Sequence, residues 1–285
     1  MVYVPELIMV DFSKAFQSVP ECPTEIETTL TGSLPRWLNG TLLKNGPGVF
    51  EVGPDSFRHW FDGFAIFQRF RFTDGKVFYK SKHLRSDSYK NCLKANRIVT
   101  AQFGTPASLD PSLNFFRRYS KKFLPPKLTD NDVVNFVQFG DQVWAATETT
   151  LMHQIDPATL DTTKKVDMSK YVAVNVETAH QHYDKRGNVY NIGWSLNTYK
   201  VFVTPNSDLF KQTTNLEGFE KTKIMATIKS KRKGFVSYFH SFAMTENYII
   251  FVEMPLLINT IKLLSAHVRT KSFKDSLTWK HDQKV

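Results

Sequence analysis

His180-Gln181-His182-Tyr183-Asp184-Lys185-Arg186-Gly187-Asn188-Val189-Tyr190-Asn191-Ile192-Gly193-Trp194 carries the pattern that decides the fold. A histidine-led run reaches a polar cluster, Asp184 to Asn188, and an apolar run follows. Asp, Gly and Asn gather where a chain reverses: glycine accepts positive φ, and Asp and Asn bond their own backbone. The pattern predicts strand, hairpin turn, strand. A second unit of the same kind runs from His240 to Met244, turns at Thr245-Glu246-Asn247 and returns from Tyr248 to Glu253. Upstream, Phe64 to Phe72 turns at Thr73-Asp74-Gly75 into Lys76 to Lys80, and Val133 to Phe139 turns at Gly140-Asp141 into Gln142 to Glu148. Leu151 to Ile155 meets Asp156-Pro157-Ala158-Thr159, where Pro presets φ and Asp bonds the backbone that follows. Helical periodicity is scarce, so the chain reads as all-β. Meanders repeated every several tens of residues predict a propeller or another radial array, although a sandwich would show similar hairpins.

The 285 residues suffice for one large domain or two ordinary ones, and 41% hydrophobic content supports a real core. The 24 Phe and 10 Tyr suit pleated sheets or the lining of an apolar tunnel. The net charge of +10 attracts phosphate groups. No helix-turn-helix, zinc-finger or RNA-binding pattern accompanies it, so the expected partner is a membrane surface and not nucleic acid. Two segments break the strand pattern. Pro111 to Lys127 mixes aromatic residues with basic ones, and Leu256 to Arg269 is apolar at helical spacing. Both have the make-up of interfacial segments; an ordinary loop and a core helix would look alike. Cys22 and Cys92 show no metal or disulfide spacing, which suits a reducing compartment. The first thirty residues have no basic leader, and Tyr248 to Ile258 contains Glu253 and Pro255 and is too short for a span. The expectation is a cytoplasmic protein that touches membranes peripherally.

Several residues are candidates for chemistry. In a strand, residues i and i+2 share a face, so His180 and His182 either both reach one metal or one ligates while the other packs. His240 sits among aromatic neighbours, Tyr238-Phe239-His240-Ser241-Phe242, either as a ligand or as a core histidine bonded to a carbonyl. Glu148 ends an apolar strand, where a carboxylate needs a partner; a metal-bound imidazole or solvent at a strand end would serve. Gly46-Pro47-Gly48 and His59-Trp60-Phe61-Asp62-Gly63 read as structural turns. A Gly-x-Ser-x-Gly elbow, a dinucleotide fingerprint and a His-Glu-x-x-His helix are all missing from the sequence.

Taken in order, Leu42 to Gly48, His59 to Gly63, Asn96 to Val99, Phe103 to Thr105, Thr147 to Thr149, Thr178 to Asp184 and Tyr238 to Phe242 resemble the animal carotenoid oxygenases. That family includes the β-carotene oxygenases and the retinoid isomerohydrolase. The resemblance runs from about Leu34 to Trp279, which divides the chain into an extension (1–33), a partial propeller domain (34–279) and an unmatched tail (280–285). It implies a seven-bladed β-propeller of which this chain forms roughly the first half. It also implies Fe(II) held on the axis by four histidines, with O2 as co-substrate.

By the resemblance, His180 and His240 match two of the ligands, Glu148 an outer carboxylate, and Thr147 the floor of the site. His182 matches a position not counted as a ligand. Imidazole also suits zinc and copper, so the ligand type does not name the metal. The implied reaction adds dioxygen across a carotenoid double bond and gives two carbonyl products. The alternatives are retinyl ester isomerohydrolysis at the same site and a truncated, non-catalytic lipid-binding or regulatory chain. The remaining ligands are expected beyond Val285, which would leave this chain alone inactive. Four departures from the pattern stand out: Gln181 for proline, the charged Glu177, Gln102 for a glutamate, and Ser112 for a cysteine. Losing proline at 181 frees φ beside a ligand.

Overall fold

The computed structural model describes residues 12–114, 116–117, 128–211, 216–232, 234–266 and 268–281. The aromatic-basic stretch at 115 and 118–127, and most of the tail after Lys280, lie outside them.

The first sheet contains β1 (Cys22–Glu27) and β2 (Gly40–Val49). A small hairpin of β3 (Glu51–Val52) and β4 (Asp55–Ser56) leads on to β5 (Phe64–Thr73) and β6 (Lys76–His83). The sheet order is β1-β6-β5-β2, antiparallel throughout. The second sheet is a meander of β7 (Asn135–Phe139), β8 (Gln142–Ala146), β9 (Leu151–Ile155) and β10 (Thr162–Asp167). The third holds β11 (Val176–Glu177), β12 (His182–Tyr183), β13 (Val189–Ser195), β14 (Thr198–Thr204) and β15 (Lys223–Lys229). A fourth region has β16 (Phe235–Ser237), a two-stranded pair of β17 (Ala243–Met244) and β18 (Ile249–Ile250), then β19 (Leu256–Asn259) and β20 (Leu277–Trp279). Each sheet is filled from one stretch of chain, so successive sheets stack as blades do.

The turns follow their residues. Asp74 (φ 49°) and Gly75 (φ 74°) give two consecutive positive φ values, the conformation that matches the twist of β5 and β6. The Asp156 carboxylate accepts the amides of Ala158 (2.7 Å) and Thr159 (2.9 Å). The Asp184 carboxylate accepts those of Arg186 and Asn188, both at 2.9 Å.

The core lies between neighbouring sheets. Ala65, Phe67 and Leu84 of the first meet Val133, Ala145 and Ile155 of the second. Phe139, Trp144 and Met152 of the second meet Val189 and Phe202 of the third, with Phe210 and Phe219 closing the edge. Ile192, Trp194, Tyr199 and Val201 of the third meet Val236, Phe239 and Ile258. On β14 the alternation is explicit: Tyr199 and Val201 face one neighbour and Phe202 the other, as period-2 geometry requires. Each buried Val, Leu, Ile, Phe or Met side chain among these contributes about 1.5–3 kcal/mol. Carboxamides stitch the sheets across their seams. Asn45 donates to the carbonyl of Asp132 (2.6 Å), and Asn131 donates to that of Gly63 (2.9 Å).

Three local expectations are revised. Gly46-Pro47-Gly48 is not a turn but the irregular end of β2. That strand lies at a sheet edge, where a residue without an amide proton is tolerated. Leu256 to Arg269 is not helical throughout: Leu256–Asn259 is a strand, and the helix covers only Thr260–Ala266. The Asn259 side chain caps that helix by accepting the Lys262 amide at 2.9 Å. His180 and His240 lie outside the ladders, because β12 starts at His182 and β17 at Ala243. His59-Trp60-Phe61-Asp62-Gly63 is structural as read. His59 packs on Phe61 and Phe103, and buried Asp62 accepts the Gly104 amide and the Thr105 hydroxyl.

Candidate metal centre

Three consecutive sheets each deliver one polar residue to a common point. Glu148 lies just past the end of β8, His180 between β11 and β12, and His240 between β16 and β17. The turn that carries His180 is held from several sides. Asn135 donates to the carbonyl of Ala179 (2.9 Å), and Asn191 donates to that of Thr178 (2.9 Å). The Thr178 hydroxyl accepts the His180 amide (3.0 Å) and donates to the carbonyl of His240 (2.5 Å), tying the two histidine segments together.

The imidazoles face each other, with His180 Nε2 2.8 Å from His240 Nε2 and the ring centroids 4.3 Å apart. Behind His240, its Nδ1 pairs with Glu148 Oε1, and the Tyr238 hydroxyl donates to Glu148 Oε2 at 2.7 Å. A carboxylate on Nδ1 fixes the tautomer that leaves the Nε2 lone pair free for a ligand role. The Glu148 hydrogen bond raises the basicity of His240. Burial, with the neighbouring His240 adding to it, lowers that of His180. Burial and the Glu148 charge push the Tyr238 hydroxyl far above the usual phenol range, so it remains a donor.

His182 leaves the cluster. Its Nε2 lies 2.8 Å from the carbonyl of Phe242, and its ring packs edge-on against the Phe242 ring. Of the two readings of the His180-Gln181-His182 motif, the one in which a single imidazole is presented and the other packs describes the structure. Thr147 is buried beside Glu148, but the hydrogen bonds that join Glu148, Tyr238, His180 and His240 do not pass through it. Gln102 is buried, and its Oε1 accepts the Thr129 hydroxyl at 2.8 Å. Tyr238 and Thr178 are the members of this cluster that sequence reasoning missed. Only a hydroxyl two positions before each histidine hints at them.

The donor set fits a metal ion. Two bonds of about 2.1 Å at a right angle put ligand nitrogens about 3.0 Å apart, close to the 2.8 Å found between the two Nε2 atoms. Neutral imidazoles suit iron, zinc and copper. Among the described residues no group of three or more His, Cys, Asp or Glu side chains converges on one metal position, and two imidazoles meet here. The His240 side chain is 54% exposed, so the point the two rings share is open.

Tyr238→Phe removes the donor that holds Glu148 in place. We expect the affinity for a divalent metal ion to fall about tenfold, the lower end of what the outer partners of a metal ligand contribute. Anaerobic titration calorimetry measures it, and unchanged affinity would contradict the role given to Tyr238.

The profile of the retinal pigment epithelial membrane protein family (RPE65) matches residues 15–285, and the chain belongs to this carotenoid oxygenase family. It is 44% identical over 270 residues to a carotenoid-cleaving dioxygenase, mitochondrial, of Pongo abelii, covering 92% of this chain and 48% of that protein. It is 41% identical over 273 residues to the β,β-carotene 15,15'-dioxygenase of Gallus gallus, covering 93% and 52%. Among solved structures, a cobalt-substituted Synechocystis ACO matches with a TM-score of 0.70 at 23% identity, over 96% of this chain and 54% of that one. The likeness extends the fold to the family's β-propeller. The chain spans about half the length of the curated relatives it matches.

Proposed function

We propose that this chain supplies part of the Fe(II) centre of a carotenoid-cleaving dioxygenase. His180 and His240 are two of the imidazole ligands, and Glu148 is the carboxylate that orients His240. The observation that carries this reading is the approach of the two Nε2 atoms to 2.8 Å with Glu148 on the far nitrogen of His240. The printed functions of the relatives, carotenoid-cleaving dioxygenases, support the substrate class.

In this account Fe(II), when bound, supplies the activation of dioxygen for addition across a polyene double bond, giving two carbonyl products. The residues of the chain do the rest. Glu148 keeps the proton of His240 on Nδ1, and Tyr238 keeps Glu148 in place. Thr178 and Asn135 fix the His180 turn, and buried Thr147 closes the floor.

Contact with a membrane surface belongs to the same proposal. Phe116 (83%), Ile261 (73%) and Leu264 (75%) are largely exposed, and they stand near the basic residues Arg117, Lys262 and Arg269 in sequence. This is the make-up of a segment that lies at the headgroup boundary. No helix among the described residues is long and apolar enough to cross a bilayer. The compartment in this account is the cytoplasm.

The test is incubation of the protein, as the cell makes it, with Fe(II), air and a panel of carotenoids, followed by chromatography. Aldehyde or ketone products support cleavage. Release of a retinol from a retinyl ester would assign isomerohydrolysis instead. No iron bound and no product would leave a non-catalytic lipid-binding or regulatory role.

A further inference from the structure

Glu177 and Gln181 flank the His180 turn, and neither finds a partner for a buried oxygen. Glu177 is 2% exposed, and its Oε2 accepts no hydrogen bond; the same holds for Oε1 of Gln181. Both side chains line one small cavity, with Phe139, Met152, Val189 and Phe202 as its apolar wall. The cavity has room for about one water molecule. With the Gln181 amide oxygen turned to this buried space, two acceptor oxygens share it and cannot satisfy each other unless one of them carries a proton. The other polar groups at the cavity are already engaged. Asn191 donates to the carbonyl of Thr178 (2.9 Å) and accepts the Ile192 amide, and Thr204 pairs with Thr222.

We propose that Glu177 is a neutral carboxylic acid whose O–H reaches the amide oxygen of Gln181 through one trapped water, and that this bridge fixes the turn carrying His180. The water accepts a hydrogen bond from the acid O–H and donates one to the amide oxygen of Gln181, so two buried oxygens acquire partners with no net charge in the core. Glu177 is thereby a positioning residue. It acts on the His180 segment through Gln181 and touches neither substrate nor metal. The charge balance agrees. Burial, with Asp167 at the end of β10 adding its own negative charge, pushes the Glu177 carboxyl up to about 8. Among the described residues Asp167 is the one charged group that acts on it, and the cavity wall contributed by β7, β9, β13 and β14 is apolar or neutral.

The bridge predicts a pH signature that packing alone would not give. A carboxyl whose folded value lies above its unfolded value of 4.5 binds its proton more tightly in the folded state. Its contribution to stability is therefore full below about 4.5 and declines as pH rises towards about 8, by up to tenfold in the folding constant per pH unit. Glu177→Gln keeps a neutral donor for the bridge but has no proton to lose. Relative to wild type, its folding constant should climb about tenfold per pH unit from roughly pH 5 to 8 and then level off. Urea unfolding of the protein as the cell makes it reads this. Infrared difference spectra of wild type against the variant at pH 6 should show one protonated-carboxyl band, a readout that survives even if the variant folds poorly. Parallel pH profiles together with no such band would overturn the proposal. So would stabilisation of wild type, but not of Glu177→Gln, by added Na+ or K+, which would place a cation and an ionised Glu177 in the cavity.

Discussion

His240→Ala is expected to lower the affinity for Fe(II) at least about 100-fold and to remove carotenoid cleavage from the protein as the cell makes it. Loss of an outer partner alone costs about 10–100-fold in metal affinity, and a ligand contributes more. The substitution removes one of two imidazoles whose Nε2 atoms stand 2.8 Å apart, and it strands Glu148, whose Oε1 pairs with His240. The fold should survive, because the His240 side chain is 54% exposed and its backbone carbonyl still accepts the Thr178 hydroxyl. Circular dichroism with anaerobic titration calorimetry separates the two effects. Unchanged metal affinity in a folded variant would remove His240 from the site.

Asp132→Ala should cost about 2–3 kcal/mol of folding free energy, the upper part of the range for leaving a buried donor without its acceptor. Asp132 is fully buried, and its carboxylate lies 2.6 Å from Nδ1 of His153, which is also buried. The other side of the ring lies 3.6 Å from Asp130, which accepts the Asp87 and Ser88 amides at the start of the helix Asp87–Ala95 and an ion pair from Lys165 at 3.1 Å. The cluster therefore joins β9, β10, the helix and the seam with the first sheet, where Asn45 donates to the Asp132 carbonyl. Burial raises the Asp132 carboxyl to about 7 against the opposing pull of His153. Removing the carboxylate leaves the ring with no acceptor at Nδ1. Asp132→Asn keeps an acceptor oxygen there and should cost roughly 1 kcal/mol, the net value of one hydrogen bond. Urea unfolding of the two variants checks the ranking, and equal costs would show that the acceptor at Nδ1 is unimportant.

What the sequence made legible is what depends on neighbours along the chain. The turns at Asp74-Gly75, Asp156-Pro157 and Asp184 to Asn188 follow from φ preferences and side chains that bond their own backbone within a few residues. Packing across blades is not local, and it overrode the sequence pattern in three places. Gly46-Pro47-Gly48 stays in a strand because β2 pairs with β5. Leu256–Asn259 is drawn into a ladder with β16 and β20 despite its helical spacing. His180 and His240 fall outside the ladders, because β12 starts at His182 and β17 at Ala243. The site divides the same way. His180, His240 and Glu148 were legible through their surrounding motifs. Tyr238 and Thr178 act across 90 and 62 positions and carry no pattern of their own. Nor did the sequence pair His153 with Asp132, whose link forms only when the loop before β7 folds back over β9.

The most direct test of the central proposal is a turnover of the Fe(II)-loaded protein, in the form the cell makes, with a carotenoid under isotopically labelled dioxygen, with the products analysed by mass spectrometry. The account predicts two carbonyl fragments that each carry one labelled oxygen, and no turnover in His240→Ala. Products without label, or an isomerised retinol as the only product, would contradict it.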